Sequence, residues 1–83
     1  MTVPASLTVR YFAGARAAAG VPEEKIQAAT LAELVAAITA DRPRLDTVLT
    51  ACSFLVDGTA WRDRGAALPA TATVDVLPPF AGG

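Results

Sequence analysis

The sequence closes on Leu77-Pro78-Pro79-Phe80-Ala81-Gly82-Gly83, and its last two residues have the types that suit acyl chemistry. Without Cβ atoms, Gly82 and Gly83 fit a narrow channel and leave a terminal carboxylate open to attack. A carboxylate is anionic and a poor electrophile. Joined to AMP as an acyl adenylate it acquires a leaving group, and a sulfur or nitrogen nucleophile then takes the acyl carbon. The protein itself is the substrate of such a reaction. Pro78 and Pro79 lock φ and offer no N–H to a neighbouring strand. Residues 78–83 are therefore expected to leave the fold as a stiff tail reaching about 20 Å, at roughly 3.1–3.3 Å per residue. Stiffness lowers the entropy lost when such a tail enters another protein.

Little else in the chain offers chemistry of its own. Histidine is absent and Cys52 is the only cysteine, so the commonest general base, the commonest zinc ligand and any intrachain disulfide are missing. Cys52 has no histidine to activate it and is expected to be a small core residue. No metal site and no self-sufficient catalysis are expected. The formal net charge is -1 and Lys25 is the only lysine, which lacks the basic footprint of nucleic-acid binding. No basic segment leads into an apolar one at the N-terminus, and charge-free runs such as Thr47 to Val56 are too short for a bilayer. A cytoplasmic protein with no membrane partner is expected.

The elements that must position the tail follow from periodicity. Ser6 to Phe12 alternates as a half-buried strand with Leu7, Val9 and Tyr11 inward. Ala13 to Pro22, with Gly14, Gly20 and Pro22, predicts a loop in which ARAAA can form a helical turn. A short second strand is expected around Glu24 to Ala28, with Ile26 inward. Thr30-Leu31-Ala32-Glu33 is a capping box in which the glutamate reaches back to the N–H of Thr30. It opens a helix with Leu31, Leu34, Val35 and Ile38 on one stripe, expected to run to about Asp41 because Pro43 forces Arg42 out of helical geometry. Leu45, Val48 and Leu49 suit a short further helix. SFLVDG then predicts a strand and an Asp57-Gly58 hairpin turn with Thr59 to Arg62 returning. Gly65 to Thr71 follows as a loop, and Thr73 to Leu77 is the final strand with Val74 and Val76 on one face.

This order predicts an α+β, ubiquitin-like β-grasp fold over residues 1–77, a mixed sheet with one main helix, followed by the extended tail of residues 78–83. In that arrangement the first and last strands are central, adjacent and parallel, so Phe12 and Leu77 arrive at the same end of the sheet. Phe12 shares a face with Thr8 and Arg10, and Leu77 with Thr73 and Asp75. Both are apolar residues on polar faces, and they are expected to form an exposed patch at the root of the tail. The alternative is a local twist that buries them under the Ala13 to Pro22 loop. Arg16 is either a solvated arginine or an anchor for an acidic group. Trp61 either joins the same patch or covers the core. Asp57, Asp63 and Arg64 are expected as turn and surface charges.

VRYFAGARAAAG at the start and LPPFAGG at the finish resemble the small subunit of molybdopterin synthase, a sulfur carrier, over nearly the whole chain. The Gly-Gly end is common to sulfur carriers and some protein modifiers, and the YFAxxR and PPxAGG patterns narrow the resemblance to this branch. It implies that an E1-like adenylyltransferase consumes ATP to adenylate Gly83, and that a sulfur donor of rhodanese or cysteine desulfurase type converts it to a thiocarboxylate. The tail then enters the large synthase subunit and gives sulfur to a cyclic pyranopterin phosphate, building the dithiolene in an assembly of two small and two large subunits. Phe12, Arg16, Leu77, Pro78, Pro79, Phe80 and Ala81 become the partner-binding residues, Gly82 and Gly83 the reactive end. No cofactor is bound stably by this subunit, and the other catalytic groups belong to the large one. Sulfur delivery to thiazole, cysteine or tRNA thiolation, a protein modifier, and a binding module without tail chemistry remain as rivals.

Overall fold

Alternation places Leu7, Val9 and Tyr11 on one side of β1 (Ser6–Tyr11), and all three are buried. The computed structural model of the chain describes residues 6–79. Around β1 a five-stranded sheet forms in the order β2-β1-β5-β3-β4, with β2 (Glu23–Gln27), β3 (Ser53–Val56), β4 (Thr59–Ala60) and β5 (Thr73–Leu77). β1 and β5 are the parallel central pair, in register from Thr8 opposite Thr73 to Tyr11 opposite Val76. The remaining pairings, β1 with β2 and β3 with β4 and β5, are antiparallel. This is the ubiquitin-like β-grasp order that the sequence predicts.

Three helices cover one face. α2 (Leu31–Thr39) buries Leu31, Leu34 and Ile38, while Val35 packs at the edge of the core. Thr30 caps it, accepting from the N–H of Glu33 at 3.2 Å. The second half of the expected capping box is shifted: Glu33 Oε1 accepts from the N–H of Ala29 at 2.9 Å, one residue before the cap. α2 also stops two residues short of Asp41. Arg42 has φ -134 and ψ 75, outside helical geometry, and Pro43 then starts α3 (Pro43–Leu49) at a position where its missing N–H is harmless. Leu45 and Leu49 of α3 complete the buried layer.

The expected loop after β1 is instead a helix, α1 (Ala13–Ala19). Ala15 and Ala19, one turn apart, are small enough to bury against the sheet, so the apolar stripe exists but consists of alanines. Ala13 turns the chain out of the strand with φ +49, in the left-handed region, which costs roughly 1 kcal/mol for a residue with a Cβ. Gly20, φ +83, ends the helix, and its N–H donates to Arg16 O.

Two local networks fix the sheet edges. Glu24 on β2 accepts from the Tyr11 hydroxyl on β1 and from both terminal nitrogens of Arg42 at the start of α3. The Arg42 guanidinium holds the Glu24 carboxyl below its ordinary pKa, and burial pushes the Tyr11 phenol up. At the other edge, Asp57 and Gly58 have φ +49 and +85, the pair of left-handed residues a two-residue hairpin turn requires. Asp57 Oδ1 accepts from the N–H of Thr73 at 2.9 Å, tying the turn to β5. The return strand is shorter than expected. After Ala60 the chain turns beneath α2, where Arg64 O accepts from the N–H of Ala32 at 3.0 Å.

Candidate functional site

Register partners share a face, so the sheet side turned away from the helices carries Thr8 and Arg10 of β1, Thr73, Asp75 and Leu77 of β5, and Leu55 of β3. Phe12 follows on the same side. Its N–H donates to Val76 O at 3.2 Å, which carries the parallel pairing one residue past β1 and sets Phe12 beside Leu77. Phe12 is extended, with φ -124 and ψ 148, and the turn at Ala13 keeps it out of α1. It is 39% exposed, the one exposed large apolar side chain among the described residues. Leu77 and Pro78 are half-buried and Pro79 is exposed.

Arg16, exposed on α1, lines a shallow depression of about 240 Å³ together with Phe12, Arg10 and Glu23. Phe12, Leu77, Pro78 and Arg16 are therefore gathered at one end of the sheet, where β5 delivers the tail. Phe80, Ala81, Gly82 and Gly83 lie outside the described residues.

One pair at this site escaped the sequence reading. Arg10 and Asp75 face each other across the central strands in a side-on ion pair, Nε to Oδ1 at 2.6 Å and Nη2 to Oδ2 at 2.9 Å. The carboxylate raises the pKa of Arg10 further, and the guanidinium lies over the Phe12 ring at 5.8 Å. The signal was available as two opposite charges on the polar faces of the two central strands. What was missing was the register that sets them opposite each other.

Trp61 does not belong to this site. Its N–H donates to Phe54 O, so it is paired with a residue of the helix-covered face, and its ring packs against the core. Its indole N–H donates to Asp63 O at 2.9 Å. It lines a separate recess of about 380 Å³ with Leu31, Cys52, Phe54 and two arginines, Arg62 and Arg64. Cys52 is half-buried there, its thiol donating to Val48 O at 3.3 Å, and burial pushes its pKa up. That burial disfavours the thiolate, the reactive form. Asp63 and Asp57 act as turn residues, Asp63 Oδ1 accepting from the N–H groups of Gly65 and Ala66. Among the described residues there is no cluster of three metal-ligating side chains, and no helix is long and apolar enough to cross a membrane.

Comparison with known proteins adds the decisive observation: the model of the ThiS family matches residues 9–83. The chain belongs to the ThiS family. It is thus a sulfur carrier of the ubiquitin-like class, with the tail inside the matched region. No curated protein matches its sequence. Among solved structures, small archaeal modifier protein 1 from Methanosarcina acetivorans is similar over 99% of this chain and 100% of its own, with a TM-score of 0.84 and 22% identity. A putative molybdopterin converting factor subunit 1 from Pyrococcus furiosus has a TM-score of 0.80 at 24% identity, covering 92% of this chain and 99% of its own. A chain of the complex of subunits 1 and 2 of the Helicobacter pylori molybdopterin-converting factor has a TM-score of 0.72 at 24% identity, covering 94% of this chain and 99% of its own. At these identities the structural likenesses establish the shared β-grasp fold.

Proposed function

We propose that this ThiS-family chain is the small, sulfur-donating subunit of a molybdopterin synthase. The observation that carries the reading is the exposure of Phe12 beside Leu77 at the end of the sheet from which Pro78 and Pro79 lead toward Gly83. An apolar patch at the root of a stiff tail is what a carrier needs to dock its body while the tail enters a partner's active site. The YFAxxR and PPxAGG patterns and the molybdopterin converting factor neighbours, one of them solved with its second subunit, favour a large synthase subunit as that partner.

In the proposed cycle, the Gly83 carboxylate attacks the α-phosphorus of ATP within an E1-like adenylyltransferase, releasing pyrophosphate. The persulfide of a sulfur donor of rhodanese or cysteine desulfurase type then displaces AMP to form an acyl disulfide, and a thiol that attacks the donor's cysteine sulfur breaks the S–S bond, releasing the thiocarboxylate and leaving a disulfide on the donor. Two rounds of transfer from thiocarboxylated small subunits build the dithiolene on a cyclic pyranopterin phosphate, in an assembly of two small and two large subunits. This chain contributes the acyl carbon and the docking surface: Phe12, Leu77 and Arg16 at the tail's root, and Pro78, Pro79, Phe80 and Ala81 along the channel.

A second reading, a protein modifier joined through Gly83 to lysines, is favoured by the likeness to the small archaeal modifier protein. Carriers for thiazole, cysteine or tRNA thiolation share the same tail chemistry. The experiment that tests the first reading supplies the thiocarboxylated chain and a synthase large subunit with cyclic pyranopterin phosphate. Molybdopterin formation is the expected result. Absence of product with a verified thiocarboxylate, together with high-mass conjugates in cells, points to the modifier.

A further inference from the structure

A purely apolar docking patch leaves the ion pair beside it without a purpose. Asp75 is 9% exposed, the one buried charged residue among those described, while the Arg10 side chain keeps 49% of its surface. A guanidinium has five N–H donors, and Asp75 takes one from Nε and one from Nη2. The end formed by Nη1 and the second N–H of Nη2 makes no hydrogen bond to the described residues; Glu23, opposite Arg10 on β2, attracts it from beyond bonding distance, and in the free chain water serves it. The Phe12 ring covers one flat side of the group. Arg10 is thus held on two sides with its distal edge open.

A partner seated on Phe12 and Leu77 lies next to this edge, because the three residues occupy adjoining positions on one face of the two central strands. An apolar cover removes the water and returns nothing, a penalty on the order of 10- to 100-fold in affinity for a charged donor. A carboxylate matches the two parallel N–H groups of the open edge, whereas a lone carbonyl does not. We propose that the Arg10–Asp75 pair selects the partner: the protein this carrier serves presents an acidic side chain to the distal edge of Arg10, next to an apolar socket for Phe12. Arg10 makes the contact and Asp75 positions it. The inference rests on the docking reading above and names the chemistry of the surface that docks.

The test is calorimetric titration of the source organism's large synthase subunit with the full chain and four variants, each checked for folding by circular dichroism. Phe12→Arg reports on the docking reading alone and is expected to weaken binding about 30-fold. The double variant Arg10→Leu/Asp75→Ala makes the face more apolar, yet is expected to bind 10- to 100-fold more weakly and to lose the salt dependence of the wild type. The swapped pair Arg10→Asp/Asp75→Arg keeps a cross-strand ion pair but moves the open cation to the neighbouring strand, and is expected not to restore affinity. Arg10→Lys keeps the contact to Asp75 without the two-pronged edge and is expected to lose several-fold, which serves should the double variant not fold. Wild-type or tighter binding by the double, swapped or lysine variant, with Phe12→Arg still impaired, overturns the selection role and leaves the docking reading standing. No binding by the wild-type chain overturns both.

Discussion

Phe54 and Phe12 lie on opposite faces of one sheet, and each has an arginine over its ring at nearly the same distance, Arg64 at 5.7 Å and Arg10 at 5.8 Å. Their settings otherwise differ. Phe54 is 4% exposed beneath the helices, and Arg64 lines the same recess. Phe12 is 39% exposed, and its arginine is itself fixed by Asp75. The cation over the ring does not decide an aromatic's role; what covers its other side does. On the helix-covered face, aromatic surface stabilises the fold. On the open face it is left exposed beside Leu77 and is expected to contribute little to stability.

The widest gap between the two faces is expected in stability. Phe54→Ala should destabilise the chain by about 3–5 kcal/mol, the range for emptying a buried phenylalanine site, whereas Phe12→Ala should stay within about 0.5 kcal/mol. Urea unfolding of the two variants measures both, and equal losses would erase the distinction. In binding the order reverses: Phe12→Arg should weaken association with the large subunit by roughly 2 kcal/mol while the domain stays folded. Binding unchanged by that substitution removes Phe12 from the docking surface. A smaller effect sharpens the comparison from the covered side. Thr30→Ala removes the acceptor for the N–H of Glu33 and should cost about 1 kcal/mol of stability with no change in partner affinity. A loss of affinity there would mean that the helix layer also shapes the docking face.

What could be read from the sequence was whatever depends on local periodicity. The inward set of Leu7, Val9 and Tyr11, the Thr30 cap, the break at Arg42 before Pro43 and the Asp57-Gly58 turn all follow from near neighbours in the chain. The adjacency of the first and last strands followed from topology, and with it the placement of Phe12 beside Leu77. α1 was hidden because its buried stripe is Ala15 and Ala19, residues too weakly apolar to stand out between two glycines. The shortened β4 and the fate of Trp61 depend on contacts to Asp63 and α2 that no pattern near Trp61 announces. The Arg10–Asp75 pair spans 65 residues of sequence, and only the parallel register creates it.

The central proposal is that this protein carries sulfur on the carboxyl carbon of Gly83 and releases it from there, so that the reach of residues 78–83 from the sheet must match the partner's active site. Deleting Gly83 shortens that reach by roughly 3 Å, and reactive alignment is lost with displacements of about 1 Å. The most direct measurement is molybdopterin formation by the shortened chain with the large subunit, the activating enzyme, ATP and the sulfur donor, with mass spectrometry of the carrier after the assay. The expected result is a folded protein that still binds the large subunit through Phe12 and yields no molybdopterin. Full product formation by a chain confirmed to end at Gly82 would contradict it.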